Sequence, residues 1–222
     1  MARKVLLACG ILSPLLYAVA DALAGMRWEA YSFLDQTISE LGAIGAPSRM
    51  MFTIFLVPVY LLLTAFGVGV RRSVASRRGV KVAGALVVAL GVMALTVGLF
   101  VPMRARGTEQ GLSGLLHIVE GMVAVTMIMA AIGFAASALG RWFRLYSVVT
   151  IVMMLGFLAW SGMDAPRIEA GLPTPWVGVK DRIGWYAYQL WFLVLTLALL
   201  RERPGAQVEG PVQAGWLEAP AS

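Results

Sequence analysis

Charged residues are scarce in this chain. Only 14% of its 222 residues are Asp, Glu, Lys or Arg, whereas 59% are hydrophobic. A soluble globule of this size needs more polar surface than that to face water, so the composition excludes a soluble protein. The mean hydropathy of +0.80 points the same way, and we predict an integral membrane protein.

Cysteine and histidine are nearly absent. The one cysteine, Cys9, has no second cysteine for an intramolecular disulfide, and its apolar surroundings predict a small packing residue. The one histidine, His117, rules out a three-histidine metal centre and a bis-histidine haem site. A metal would need mainly carboxylate ligands with His117 as its single nitrogen ligand. The sequence therefore assigns neither a metal nor any other cofactor.

Several motifs of well-known enzyme classes are missing too. The chain has no glycine-rich phosphate loop, no HExxH, no CxxC pair and no GxSxG elbow. It also lacks a continuous basic patch with interleaved aromatic residues, so the pI near 9.9 does not indicate a nucleic-acid partner. Basic residues near anionic inner-leaflet lipid explain that pI instead. The expected partners are membrane lipids, and the oligomeric state is left open.

Six long apolar runs are the dominant feature that is present. A helix needs about 20 residues to cross a bilayer core of ~30 Å, and its backbone groups must be paired within the segment. We predict an all-α, polytopic six-transmembrane-helix bundle over residues 1–203, followed by a disordered cytoplasmic tail over residues 204–222. The predicted spans are residues 5–24, 50–70, 82–101, 115–139, 145–163 and 183–200.

The distribution of charge predicts the orientation. Most of the 18 basic residues fall on one side and most of the 12 acidic residues on the other if the N-terminus is cytoplasmic. Both termini are then cytoplasmic, and we expect the cell membrane as the location. The first run also resembles a signal peptide that ends at Ala22-Leu23-Ala24. Its length favours a retained helix.

His117 and Glu120 form the first candidate site. They lie three residues apart, on one face of the fourth run. Polar groups inside an apolar helix usually face the bundle interior or water and often serve a function. Imidazole and carboxylate could act as a base with its orienting partner, or as two metal ligands. The alternative is a hydrogen-bonded pair that ties this helix to a neighbour.

The polar interval after the first run contains the second candidate. On a helix, Asp35 and Ser39 would share one face, and Glu40 would lie on another with Gln36. The spacing of Asp35 and Glu40 from the hydroxyl residues three positions earlier equally fits capping boxes. One acid could therefore be a helix cap and the other a site residue.

The apolar residues of the same interval predict its structure. Leu34, Ile38 and Leu41 recur at the spacing of one helical face, which predicts a short amphipathic helix. The interval 164–182 contains three prolines and is predicted to be extended rather than helical.

Asp181 and Arg182 precede the sixth run and are the third candidate. The planar guanidinium of Arg182 could hold a phosphate or a carboxylate. The alternative is an ordinary acid at a helix N-terminus beside an arginine that extends to the interface. Asp21 and Asp164, at the ends of other runs, could reach the same cavity.

Glycines in the third run predict close helix packing. Gly84, Gly91 and Gly98 lie seven residues apart and therefore on nearly one face. Small residues on such a face let another membrane helix approach closely.

Three of these stretches resemble the prokaryotic membrane proteins grouped as domain-of-unknown-function family 998. They are YSFLDQTISELGAIGAP at 31–47, LSGLLH at 112–117 and DRI at 181–183 before a Trp-rich last run. The resemblance covers nearly all of residues 5–203 and implies six helices with cytoplasmic termini and a retained first helix. It implies no reaction or ligand. Asp181 stands where this family would be expected to have Glu, which keeps the charge but shortens the reach.

These observations support one location and several functions. The favoured hypothesis is a polar site at the extracytoplasmic mouth of the bundle that acts on or binds a lipid or an outer-face precursor. A transporter or channel-like protein and a non-catalytic assembly subunit are the alternatives, so whether the chain is an enzyme stays open. The candidate catalytic residues are His117, Glu120, Glu40 and Asp35, and the candidate binding residues are Ser39, Asp181 and Arg182.

Overall fold

Six long helices make up most of the fold. The computed structural model describes residues 2–73 and 77–201. The α-helices in these ranges are α1 (Ala2–Arg27), α2 (Ile38–Leu41), α3 (Arg49–Ser73), α4 (Arg78–Thr96), α5 (Gly111–Ala138), α6 (Arg141–Gly162), α7 (Ala165–Glu169) and α8 (Val177–Arg201). All except α2 and α7 are long and apolar enough to cross a membrane. A short 3-10 helix, Gly98–Phe100, follows α4. The six-helix, all-α prediction is confirmed, whereas the predicted tail at 204–222 lies outside the described residues.

The helices extend beyond the apolar runs that predicted them. α5 begins at Gly111 rather than at residue 115, and α8 begins at Val177 rather than at residue 183. Asp181 and Arg182 therefore lie inside α8, and the prediction that they precede it was wrong. Hydropathy marks where side chains suit lipid, but a helix continues through polar residues when those side chains find partners.

The loop between α1 and α3 is less helical than its sequence pattern predicted. Only the single turn Ile38–Leu41 is helical, with both of its end residues buried. Leu34 precedes this turn and is 51% exposed, so the predicted apolar face is shorter than the spacing suggested. Contacts to distant segments, described below, hold this region in place of a longer helix.

The segment after α6 departs from prediction in the opposite direction. The prolines predicted an extended chain, but Ala165–Glu169 forms the short helix α7 with Pro166 in its first turn. Proline is tolerated there because the first N–H groups of a helix have no intrahelical partner. Residues beyond α7 follow the prediction and are not helical up to Val177.

The long helices form a ring in chain order. Each packs on the next, and α8 closes the ring by packing against α1. The contact between α5 and α6 is the sparsest around the ring. The fold therefore has a seam between these two helices.

Large aromatic side chains fill much of the ring's centre. Phe66, Trp191 and Phe192 are fully buried, and the Phe66 and Phe192 rings meet edge to face at 5.6 Å. The indole of Trp191 donates a hydrogen bond to the hydroxyl of Ser147 at 2.9 Å, which satisfies its polar atom.

Glycines let α3 and α4 approach closely, as predicted. A Cβ added at Gly84 would lie 2.8 Å from the carbonyl oxygen of Gly67, and one at Gly91 would lie 2.9 Å from the backbone nitrogen of Thr64. Gly98 differs, because it faces the carboxylate of Glu120. The prediction of helix packing is confirmed for the first two glycines only.

Replacing Gly84 with valine is expected to lower the free energy of unfolding by about 1–3 kcal/mol, since the added atoms would overlap backbone that cannot move freely. Titration with SDS in mixed micelles measures this loss. Gly133→Val on α5 is the matched control, because a Cβ there would have no atom within 4 Å. Equal losses in the two variants would contradict the packing role of Gly84.

Candidate functional site

Three loops cover one end of the bundle. Residues 28–48, 101–110 and 163–176 connect successive long helices at the end opposite the start of α1 and the end of α8, and we refer to them together as the cap. The backbones of Ile44 and Arg104 form a bridge between the first two loops, and the N–H of Gly107 donates to the carbonyl of Ile168 at 3.0 Å. The cap is thus one connected layer.

Arg182 joins the cap to the first and last helices. Its Nε and Nη2 donate to the two carboxylate oxygens of Asp21 at 3.0 and 2.7 Å. Its Nη1 donates to the carbonyl oxygens of Phe33 and Gln36 at 3.0 and 3.1 Å. Because the donors on both sides of its guanidinium are engaged in hydrogen bonds, Arg182 fixes α8 against α1 and the first loop.

Tyr31 completes the surroundings of Arg182. Its hydroxyl accepts a hydrogen bond from Nη2 of Arg182 and donates one to the carbonyl of Thr37, each at 2.8 Å. Burial raises the pKa of Tyr31 above its ordinary value, and the positive charge of Arg182 opposes that rise only in part. The phenol is therefore neutral and acts as a fixed donor and acceptor within the cap.

Arg106 forms a second centre that joins all three loops. Its Nη2 and Nε donate to the two carboxylate oxygens of Glu40 at 2.8 and 2.9 Å. Its remaining donors bind the carbonyl of Asp35, the carbonyl of Leu172 and the hydroxyl of Thr174. Glu40, which is 1% exposed, also accepts a hydrogen bond at 3.0 Å from the backbone N–H of Thr37, the N-cap residue of α2. The predicted capping contact is therefore present.

Other acids at this end of the bundle serve helix ends and turns. Asp181 accepts from the N–H of Ile38 at 2.8 Å and from the indole of Trp185 at 3.1 Å, so it caps α2 from α8. Asp35 is exposed and accepts from the N–H of Trp176, a residue held at a φ of 65°. Lys180 forms an ion pair with Asp164.

A cavity of about 160 Å³ lies beneath the cap, inside the ring. Its wall is mainly apolar, and we call it the polar cavity because charged and polar side chains also line it. His117 and Glu120 share its wall with Arg49 and with polar or aromatic side chains of three other long helices, α1, α3 and α8. The main polar or aromatic members of that group are Tyr17, Thr53, Tyr60, Trp185 and Tyr188. Glu120 lies nine residues into α5, about 14 Å of helix rise from its start.

Two charged groups on this cavity have no partner among the residues that the structure describes. Neither the carboxylate of Glu120 nor the guanidinium of Arg49 has a hydrogen bond or an ion pair there, although both are half-buried. An unpaired charge next to an apolar wall is costly, so such groups commonly mark a binding or reaction site.

His117 contributes an acceptor to the same space. Its Nδ1 lies 3.1 Å from the carbonyl oxygen of Val101, and a carbonyl only accepts, so Nδ1 carries the proton. In the neutral imidazole, Nε2 is then an unprotonated acceptor. His117 and Glu120 share the cavity wall, and the structure records no hydrogen bond between them.

A second, apolar cavity of about 510 Å³ lies at the seam between α5 and α6. Its wall is mostly aliphatic and includes Ile118, Val125, Leu155 and Leu158. Five residues border both cavities: Ser39, Met103, His117, Gly121 and Trp185. The polar and apolar cavities are thus neighbours with a shared wall.

The structure divides the predicted site residues into two groups. His117, Glu120, Ser39 and Asp181 line one cavity or both. Glu40, Asp35 and Arg182 line neither, because their polar atoms are engaged within the cap. Among residues 2–73 and 77–201, no group of three or more His, Cys, Asp and Glu is placed to hold a metal ion.

Sequence reasoning missed Arg106 and Arg49. Arg106 binds Glu40 across 66 residues, and Arg49 stands alone at the start of a helix, so no local spacing marked either one. The cavity tyrosines were missed for a similar reason, since tyrosine in an apolar run is ordinary.

Six membrane-length helices, a cap at one end and titratable groups within the bundle together define a multi-pass membrane protein. A family model described as protein of unknown function, DUF998, matches residues 11–198. The chain belongs to this family. No curated protein and no solved structure matches the chain.

Proposed function

We propose that this protein binds an amphipathic lipid through the two adjoining cavities. The apolar cavity takes acyl chain and the polar cavity takes a headgroup. The volume of the apolar cavity, about 510 Å³, falls in the usual range for ligand pockets of about 300–1,000 Å³. The observation that carries the proposal is the shared wall, which places a space lined by charged groups directly beside a mainly apolar one.

The seam between α5 and α6 provides the route of entry. These neighbours contact each other least, and aliphatic side chains of both helices face outward beside it. Lipid can therefore enter sideways from the bilayer. The charge distribution of the sequence supports cytoplasmic termini in the cell membrane, which would direct the cap outward and make the outer leaflet the source of ligand.

The polar cavity supports binding better than a continuous ion path. Its wall includes the apolar residues Leu63, Leu90, Ala124 and Ile128, and its charged lining residues are limited to Glu120 and Arg49 within the described part of the chain. A proton or ion relay usually needs further charged or polar groups at depth. The polar wall thus ends at an apolar floor, which suits a headgroup pocket.

Gly121 offers a direct test because it borders both cavities and a Cβ there would have no atom within 4 Å. Gly121→Leu should fill the shared space without disturbing the helix. We expect this variant to lose most cross-linking at α5 and α6 by phospholipids that carry a diazirine in the acyl chain. Phosphatidylethanolamine and phosphatidylglycerol forms are tested separately, and labelled peptides are mapped by mass spectrometry.

Gly133→Leu on the same helix is the matched control. Gly133 is exposed, has equally open surroundings and borders neither cavity. It should retain cross-linking at the seam. Unchanged labelling of that region in Gly121→Leu, for both headgroups, would refute lipid binding in the cavities.

A further inference from the structure

We infer that the bound headgroup is zwitterionic, with a primary ammonium at Glu120 and His117 and a phosphate at Arg49. This inference rests on the proposed lipid binding and adds the chemical class of the ligand. Phosphatidylethanolamine is the phospholipid whose headgroup has this chemistry.

The deep part of the polar cavity offers acceptors for an ammonium. Glu120 supplies two carboxylate oxygens, and Nε2 of His117 supplies a third acceptor in the neutral ring. A primary ammonium has three N–H donors, which matches these three acceptors in number. Its positive charge also compensates the carboxylate, which forms no ion pair with any residue that the structure describes.

Arg49 supplies the complementary charge at the cap end of the same cavity. It is the first residue of α3, and its guanidinium is a planar donor that matches the oxygens of a phosphate. Arg106 and Arg182, which hold the cap together, already donate their hydrogen bonds to acceptors of the protein. Arg49 is therefore the group available to a phosphate in this cavity.

The size of the polar cavity fits a headgroup rather than a whole lipid. A volume of about 160 Å³ is close to that of a cavity that admits benzene, so it accommodates roughly six to ten non-hydrogen atoms. A phosphoethanolamine group lies in that range. The acyl chains then occupy the neighbouring apolar cavity and the seam.

Native mass spectrometry of the full chain in detergent, with equal amounts of phosphatidylethanolamine, phosphatidylcholine and phosphatidylglycerol of identical acyl chains, tests the inference. We expect phosphatidylethanolamine to exceed phosphatidylglycerol in occupancy by about tenfold, the ratio for one charge-assisted contact. Phosphatidylcholine, whose cation has no N–H, should lie between them. Equal occupancy by the three lipids would overturn the headgroup assignment.

Glu120→Gln keeps the size of the side chain but removes its charge, and it should abolish the preference for phosphatidylethanolamine over phosphatidylglycerol. Gly98→Ala is a milder second variant, because its methyl would lie 3.1 Å from Oε1 of Glu120 and should shift the carboxylate and reduce the preference. Retention of the full preference in both variants would place the ammonium elsewhere.

Arg49→Gln should instead lower the occupancy of all three phospholipids by a similar factor, because each carries a phosphate. A long-chain alkylamine, which has no phosphate, should bind this variant as well as the parent. Loss of alkylamine binding, or no change in phospholipid occupancy, would overturn the role of Arg49.

If Gly121→Leu blocks lipid binding but the headgroups are not distinguished, only the present inference fails. If Gly121→Leu changes nothing, lipid binding itself fails.

Discussion

Replacing Arg182 with methionine is expected to lower the free energy of unfolding by about 3–5 kcal/mol, the usual cost of leaving one member of a buried ion pair alone. The variant removes both hydrogen bonds of Arg182 to Asp21, which is 4% exposed, and its hydrogen bond to the carbonyl of Phe33. SDS titration in mixed micelles measures the change. Combining the substitution with Asp21→Asn should restore part of the loss, since the buried charge is then gone.

Arg104→Met is the matched control for that prediction. Arg104 also lies in the cap but is exposed, and its side chain forms no hydrogen bond within the described part of the chain. Such a substitution usually changes stability by less than about 0.5 kcal/mol. Similar losses in the two variants would contradict a specific role for the Asp21–Arg182 pair.

Replacing Glu40 with glutamine is expected to cost about 1.5–3 kcal/mol, because the contacts of Arg106 with a charged carboxylate become weaker contacts with an amide. Both oxygens of Glu40 are engaged by Arg106 in the structure. The substitution should weaken the first loop itself as well as the stability of the whole protein, so amide hydrogen exchange at residues 28–48 should accelerate. A double-mutant cycle with Arg106→Gln isolates the energy of the pair.

Asp35→Asn is the control in the same loop. Asp35 is exposed and lies outside the Glu40–Arg106 ion pair, although its carbonyl is bound by Arg106. We expect a small stability change and nearly normal exchange in the loop. If the cycle gives no coupling between Glu40 and Arg106, the cap is held by its backbone contacts alone.

The spans were predictable because hydropathy is local. A predicted run at 115–139 became a helix at Gly111–Ala138, and each of the other five runs likewise lies largely within one long helix. The ends were less predictable. The start of α8 was misplaced because Lys180, Asp181 and Arg182 suggest a loop when read without their partners. Those partners lie in the third loop, in the first loop and on α1.

The candidate site was predictable only where its residues are neighbours on one helix. The three-residue spacing of His117 and Glu120 correctly placed them on one face, and both line the polar cavity. Glu40 and Arg182 were grouped with them because all four share one end of the bundle. Their engagement with Arg106 and Asp21 depends on contacts across 66 and 161 residues, which spacing along the chain does not encode.

The separation of Asp21 and Arg182 along the chain has a consequence for biosynthesis. Their 161-residue separation means that, at about 5–20 residues per second, roughly 8–30 s of translation pass between them. Helix α1 thus enters the membrane with a carboxylate whose partner has not been made, and it stays in that state until the last span is inserted. A chain that stops short of α8 keeps this unpaired acid, which makes an unfinished protein physically different from a complete one at its very first helix.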